Sequence, residues 1–431
     1  MRAEKPREIA LSILQRGKSQ DFVEARLEAA LAGTRLAPAD RRLCQELAYG
    51  VVRWQGTLDW LIARKTGARP QKPVLQDLLR LGLYQIFWLG RIPNHAAVHE
   101  TVELAKQRGF NTQAGFINAV LRGYLREFDA TKGLLADLKA QHPHLGYSHP
   151  EWLVARWQGR WGAARTAELM EWNNTPPKVF ARVNTLKADP GKLLTQWREE
   201  GVEYDFVRRD WIEENLVFEL KAHPPLAWLA SFQQGLFYVQ DPSTLLAVGM
   251  LDPQPGESVL DLCAAPGGKL TAIAQRMRNE GCLLAHDTTP ERLGLVEQNC
   301  ARLGVTCVET ALPATLNAPP SGPFDRILID APCSNTGVMR RRVDLRWRLR
   351  PEEIGRLRSV QGELLRQAAA LLKPGGTLVY STCSFEPEEN GEVVDEFLAG
   401  HPELRLAGSR ELLPFVDEVD GTYVVKMSRL P

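Results

Sequence analysis

From Gly256 to Ser381 the chain alternates short apolar runs with stretches of helical period, and this alternation restricts the fold more than any other feature of the sequence. Ser258–Leu262, Cys282–Asp287, Thr306–Thr310, Asp325–Asp330 and Thr377–Ser381 read as strands. Leu270–Met277, Pro290–Leu303 and Glu352–Leu372 read as the helices among them. Strands joined through helices form parallel crossovers, so a doubly wound parallel sheet with helices on both faces is expected. Tyr423–Met427 reads as an added edge strand.

Two of these strands end alike. Ile327-Leu328-Ile329-Asp330 runs into Ala331-Pro332-Cys333-Ser334, and Leu378-Val379-Tyr380-Ser381 runs into Thr382-Cys383-Ser384. Apolar runs of that length bounded by turn residues are strands buried on both faces. Ligand crevices of open parallel sheets lie at the carboxyl ends of the strands, so both thiols are expected at one rim. Two thiols beside the Asp330 carboxylate point to covalent chemistry on an electron-poor carbon.

The first strand leads into Cys263-Ala264-Ala265-Pro266-Gly267-Gly268-Lys269 and then a helix. Small residues in a strand-to-helix turn admit a ligand to the backbone, and the helix start offers free N–H groups to a carboxylate. The pattern is neither of the glycine-rich dinucleotide or triphosphate motifs. Asp287, at the end of the second strand, is where a carboxylate would take the two ribose hydroxyls of an adenosine. An adenosine ligand without a phosphate cradle is the expectation, and S-adenosylmethionine suits it.

At 431 residues the chain is long for one core, and about 150 residues per domain gives about three. Residues 1–130 read as helical, with Ile9, Ile13 and Leu14, then Leu43, Leu47, Val51 and Val52, then Leu75, Leu78 and Leu79 at helical spacing. Residues 131–150, rich in turn formers (Pro143, Gly146, Pro150), read as a linker. Residues 151–245 read as a small α+β subdomain that opens on a helix with Trp152, Trp157 and Trp161, most such tryptophans belonging in a core. Residues 246–431 form the sheet domain. His95 and His99 are four apart but lack a third ligand, so no metal site is expected.

No apolar run is long enough for a membrane span. The segment Met1–Glu8 lacks the apolar stretch of a signal peptide. Seven cysteines without a paired motif argue against a disulfide framework or a zinc ribbon, so a cytoplasmic location is expected. The net charge of +1 conceals a basic N-terminal part: residues 1–130 carry 20 Lys and Arg against 13 Asp and Glu. Arg340, Arg341, Arg342, Arg346, Arg348 and Arg350 stand against one Asp344. Local basic stretches in a neutral chain fit a nucleic-acid partner met at chosen surfaces, although a solvated helix face has the same composition.

Asp261-Leu262-Cys263-Ala264-Ala265-Pro266-Gly267-Gly268-Lys269, Asp330-Ala331-Pro332-Cys333-Ser334 and Ser381-Thr382-Cys383-Ser384 together resemble the RNA cytosine-5 methyltransferases. The stretches 91–106 and 115–122 resemble the NusB-like domain, an all-helical RNA-binding fold. The combination resembles the bacterial branch of the family that acts on 16S ribosomal RNA with a fused NusB-like domain. The implied fold is an all-α NusB-like domain, the small α+β subdomain and an α/β Rossmann-like, S-adenosylmethionine-dependent methyltransferase domain. By the resemblance, Cys383 is the nucleophile toward cytosine C6, Cys333 the acid–base helper in product release, and Asp330 a partner for the cytosine edge. Residues 263–269, Asp287 and Asp330 would hold the cofactor, and Arg340, Arg341, Arg342 and Arg346 would hold RNA phosphates near a base taken out of its stack.

The implied partner is small-subunit (16S) ribosomal RNA, with no membrane and no obligate protein partner. The alternatives are a transfer-RNA cytosine-5 methyltransferase and a non-catalytic, RNA-binding assembly factor. Three positions depart from the family pattern. Leu270 replaces a usual threonine, Thr422 a usual aromatic, and Thr310-Ala311-Leu312-Pro313 lacks the usual aspartate on the adenine side.

Overall fold

The computed structural model describes residues 5–15, 21–312 and 322–431; Pro313, of the stretch without the aspartate, lies outside them. The chain divides into two compact units, Met1–Pro176 with Met339–Arg348, and Pro177–Val338 with Leu349–Pro431.

The first unit is helical. Its longer helices are Pro6–Gln15, Val23–Leu31, Pro38–Arg53, Gln55–Thr66, Pro73–Trp88, Asn94–Gln107, Asn111–Arg126, Phe128–Gln141 and Glu151–Asn174. Pro38 and Pro73 occupy first helical positions, where a missing N–H forfeits no bond. Of the residues read at helical spacing, Leu47, Leu78 and Leu79 are fully buried, joined by Leu11, Leu58, Ile117 and Leu121, while Leu14 and Leu43 are half-buried; each fully buried one contributes about 1.5–3 kcal/mol by leaving water.

Residues 131–150 are not an irregular linker. They complete the helix Phe128–Gln141 and form the short helix Pro143–Gly146. Their prolines punctuate helix starts: Pro143 is the first residue of one, and Pro150 directly precedes Glu151 of the next. The helix Glu151–Asn174 bends at Gly162, which has φ 79°, and Trp157 is buried, as expected of a core tryptophan.

The arginine-rich segment also departs from expectation. The Arg346 guanidinium is buried in this unit and donates to the carbonyl oxygens of Arg53 (3.3 Å), Ser148 (3.2 Å) and Asn173 (3.0 Å) and to Asn174 Oδ1 (2.8 Å). Trp347 Nε1 donates to the Val52 carbonyl at 2.7 Å. Asp344 accepts from the Val23 N–H and pairs with Arg26 and Arg348. Arg340, also buried, lies 3.9 Å from the centre of the Trp172 ring. Arg346 and Arg340 are therefore internal ties, out of reach of phosphate. Their spacing resembled a basic face because sequence cannot tell a cation solvated by carbonyl oxygens from one solvated by water. Arg341 is half-buried and Arg342 exposed.

The second unit holds two sheets. The smaller comprises β1 (Val179–Val183), β2 (Glu203–Phe206), β3 (Val217–Ala222) and β4 (Phe237–Val239) in the order β2-β3-β1-β4, all antiparallel. Helix Pro190–Glu199 covers it, with Trp197 packed edge-on against Phe218 and Phe237.

The larger sheet comprises β5 (Ser258–Asp261), β6 (Cys282–His286), β7 (Val308–Ala311), β8 (Phe324–Asp330), β9 (Leu372–Thr382), β10 (Leu404–Leu412) and β11 (Thr422–Arg429), in the order β10-β11-β9-β8-β5-β6-β7. Strands β5 to β9 are parallel, and β10 and β11 are antiparallel additions. The C-terminal strand, expected at the edge, is interior, because β10 pairs outside it. β10 buries only its two end residues and lacks a clear apolar alternation, so its sequence carries no strand signal.

Candidate active site

Strand order reverses at β5: β6 and β7 continue on one side of it, whereas β8 and β9 lie parallel on the other. A crevice opens at the carboxyl ends of the strands at such a switch point. The turn after β5 and the ends of β8 and β9 meet there.

The register pairs Asp330 with Ser381, so the turns that follow β8 and β9 are neighbours. Cys333 Sγ lies 3.4 Å from Cys383 Sγ. Gly337 allows the turns to close: its N–H bonds the Cys383 carbonyl at 2.9 Å, and a Cβ on it would stand 2.8 Å from that oxygen and 2.5 Å from the Gly421 carbonyl. Cys333 is buried, while Cys383 keeps some exposure. The hydrogen bond to Cys383, and then burial, push the Cys333 thiol well above its usual range.

Three residues that the sequence reading missed complete this pair. Asn335 takes a left-handed backbone (φ 58°), which asparagine tolerates better than most residues. It accepts from Cys383 Sγ at 3.0 Å and donates to the Cys333 carbonyl at 2.7 Å. Glu389 is buried and ties the two turns together. One oxygen accepts the Ser334 N–H (2.8 Å), and the other accepts the hydroxyls of Ser334 and Ser384 (2.5 Å each). These serines directly follow the two cysteines. Burial pushes the Glu389 carboxyl up, against the pull of the serines. Gln361 joins the cluster through Glu389 and the Pro332 carbonyl. The sequence signal for Asn335 was its place directly after Cys333-Ser334; Glu389 had none, being one of several acids in a run.

Beside the thiols, Lys269 Nζ bonds Asp330 Oδ2 at 2.7 Å, and the Ser381 hydroxyl donates to Oδ1 at 2.9 Å. Burial opposes the Lys269 charge, but Asp330 and then Cys383 outweigh it and raise its hold on the proton. Lys269 thus reaches across the crevice to the carboxylate.

The turn 263–269 is shaped for close approach. Gly267 is left-handed (φ 103°), and the helix Gly268–Arg276 begins beside it. Arg182, fully buried, holds the turn from behind by donating to the Gly268 carbonyl (2.9 Å), Thr271 Oγ1 (2.9 Å) and Gln240 Oε1 (2.6 Å). Burial lowers its pKa to about 9. Cys263 keeps intermediate exposure, and burial, then the neighbouring Asp261 carboxylate, raises its thiol well above the usual range. Leu270 is fully buried in the core, which gives the departure there a packing role.

Asp287 accepts from the Ala265 N–H at 2.9 Å and pairs with Arg292 at 2.5 Å. Burial would raise its carboxyl, but Arg292 and the backbone donors hold it below the usual range. Asp261 Oδ1 and His286 Nε2 are buried without a hydrogen-bond partner among the described residues. Such orphaned atoms mark where a ligand belongs. Burial first, then the Asp330 charge, raise Asp261 to about 7. A glycine turn, a ribose-side carboxylate and unpartnered polar atoms at a switch point fit an adenosine ligand that carries an amino acid.

Residues 248–426 match the family model described as 16S rRNA methyltransferase RsmB/F, 4–126 that of the NusB family, and 149–220 that of the RsmF/B-like ferredoxin-like domain. The chain is 36% identical over 453 residues to the probable ribosomal RNA small subunit methyltransferase B of Bacillus subtilis, covering 98% of both chains. It is 38% identical to the ribosomal RNA small subunit methyltransferase B of Klebsiella pneumoniae, covering 91% of both. Among solved structures, PH0851 superposes with a TM-score of 0.81 at 26% identity, covering 99% of this chain and 100% of that one. A methyltransferase homolog from Pyrococcus horikoshii gives a TM-score of 0.59 at 32% identity, covering 67% of this chain and 97% of that one.

Proposed function

The chain belongs to the 16S rRNA methyltransferase RsmB/F family, and from that premise we propose that it methylates carbon 5 of a cytosine in small-subunit ribosomal RNA through a transient bond between Cys383 and carbon 6. The single observation that carries the reading is the Cys333–Cys383 contact of 3.4 Å, set beside the Lys269–Asp330 pair.

S-adenosylmethionine, when bound, supplies the electrophilic methyl group. Cys263 to Lys269 and Asp287 would hold it, with Asp261 and His286 supplying the unpartnered polar atoms. Cytosine C5 is a weak nucleophile. Addition of the Cys383 sulfur to C6 converts C5 to an enamine-like carbon able to take that methyl. Asp330, more exposed than Lys269, faces the amino edge of the base, and Lys269 balances its charge. Loss of the C5 proton then closes the C5–C6 double bond and expels Cys383 as thiolate.

Cys333 is the base we assign to that last step. Its bond to Cys383 is the leading cause of its weak acidity. Once Cys383 is bonded to carbon it no longer shares a proton with Cys333, 3.4 Å away, which is left free to take the C5 proton. The two sulfurs are thus coupled by the chemistry itself. The family and the absence, among the described residues, of any helix long and apolar enough to cross a membrane support an enzyme of the cytoplasm.

The test uses labelled cofactor and 16S rRNA carrying 5-fluorocytosine. Wild-type protein should form an RNA adduct that survives denaturation, and Cys383→Ala should form none. Cys333→Ala should retain covalent RNA even with ordinary cytosine. Methyl transfer by Cys383→Ala would remove the covalent route, and transfer only to transfer RNA would move the substrate.

A further inference from the structure

Asn335, in the turn after β8, touches both sulfur-bearing residues. Its backbone is left-handed, with φ 58°, a conformation that glycine takes freely and other residues do not. An asparagine there calls for a role for its amide.

The amide nitrogen Nδ2 donates to the Cys333 carbonyl at 2.7 Å. A carbonyl oxygen only accepts, so that bond fixes which way round the amide sits. Oδ1 is the atom left to face Cys383, and it accepts from Sγ at 3.0 Å. Oδ1 carries no proton, so the proton of this contact belongs to Cys383. With the Cys383 S–H committed to Oδ1, the S–H in the 3.4 Å contact between the sulfurs is that of Cys333. The donors therefore run one way, from Cys333 to Cys383 to the amide. The Asn335 N–H adds a donor to the Cys333 sulfur, which leaves that thiol's own proton for Cys383.

Lys269 acts on Cys383 in the opposite sense. Its ammonium feels the Cys383 charge, and a cation favours a thiolate where a bare oxygen repels one. We infer that Asn335 is a positioning residue that holds Cys383 as a thiol in the RNA-free enzyme, the sulfur turning reactive only on leaving Oδ1. Cys383 keeps some exposure, so its proton passes to water as the bond to Oδ1 breaks. The inference rests on the reading of Cys383 as the nucleophile, and adds how that sulfur is kept from other electrophiles between turnovers.

The test is alkylation of the full chain by iodoacetamide at pH 7, without RNA or cofactor, followed on the Cys383 peptide by mass spectrometry. Asn335→Gly suits the left-handed backbone and removes the acceptor. It should react about fivefold faster, the worth of one hydrogen bond. Asn335→Asp sets a carboxylate beside the sulfur and should react about tenfold slower, because a like charge opposes the thiolate. Methyl transfer to 16S rRNA by Asn335→Asp should lose about tenfold in kcat, with the KM for cofactor little changed. Both variants break the bond to the Cys333 carbonyl, so a merely structural role would move both alkylation rates in the same direction.

Rates unchanged in both variants, or moved the same way in both, would overturn the inference. Opposite shifts in a chain that transfers no methyl to 16S rRNA would sink the enzymatic reading and leave the thiol–amide contact standing.

Discussion

Replacing Arg346 separates a structural cation from a phosphate-binding one. Its guanidinium makes two short bonds, to Asn174 Oδ1 and the Asn173 carbonyl, and two longer ones, to the carbonyls of Ser148 and Arg53. Methionine fills much of the volume and leaves those four acceptors unmatched. At about 2 kcal/mol for each short bond and about 1 for each long one, the loss is about 6 kcal/mol. Part is returned, because burying a guanidinium without a carboxylate partner is itself unfavourable, by several kcal/mol. A net destabilisation of about 2–4 kcal/mol remains.

Two compact units need not unfold together, so a single melting temperature is the wrong readout. Amide hydrogen exchange reports each locally. In Arg346→Met, the slowest amides of Pro38–Arg53 and Glu151–Asn174 should exchange about thirty- to several-hundred-fold faster, at 1.4 kcal/mol per decade. Arg346→Lys should fall between, since one ammonium cannot span four acceptors. Arg342→Ala, at an exposed side chain, should leave exchange unchanged. The argument fails if Arg346→Met keeps its protection while the salt dependence of RNA binding becomes shallower, which is the behaviour of a phosphate contact.

Two further outcomes test the catalytic crevice. Glu389→Ala should lower kcat by about a hundredfold or more, because turns released by an ångström lose that much, with the KM for cofactor little changed; Glu389→Gln, which keeps one acceptor oxygen, should lose less, and equal activity in Glu389→Ala would refute the clasp. Asp261 has its folded pKa raised from 3.8 to about 7, so its contribution to stability is complete below pH about 4 and is lost as the pH rises through 7, by up to about 4 kcal/mol. Comparing urea unfolding of wild type and Asp261→Asn from pH 5 to 8 should show a flatter profile in the variant, and parallel profiles would refute the assignment.

The strand ends that carry Asp330, Cys333 and Cys383 were legible because a strand buried on both faces must be apolar along its length and must end abruptly where polar atoms can leave the sheet. The glycine turn at 263–269 and the carboxylate at 287 were legible for a related reason: backbone that approaches a ligand tolerates few side chains. Those features therefore come from the sequence by itself, as does the helical period of residues 5–126. Glu389 and Asn335 became meaningful only once the register of β8 against β9 had put two turns side by side. The tertiary structure also decided that Arg346 solvates carbonyl oxygens inside the helical unit, and that the exposed β10, not β11, forms the sheet edge. In each of those cases the deciding quantity is a contact between residues far apart in the chain, and a local pattern of side chains carries no record of which distant backbone will meet it.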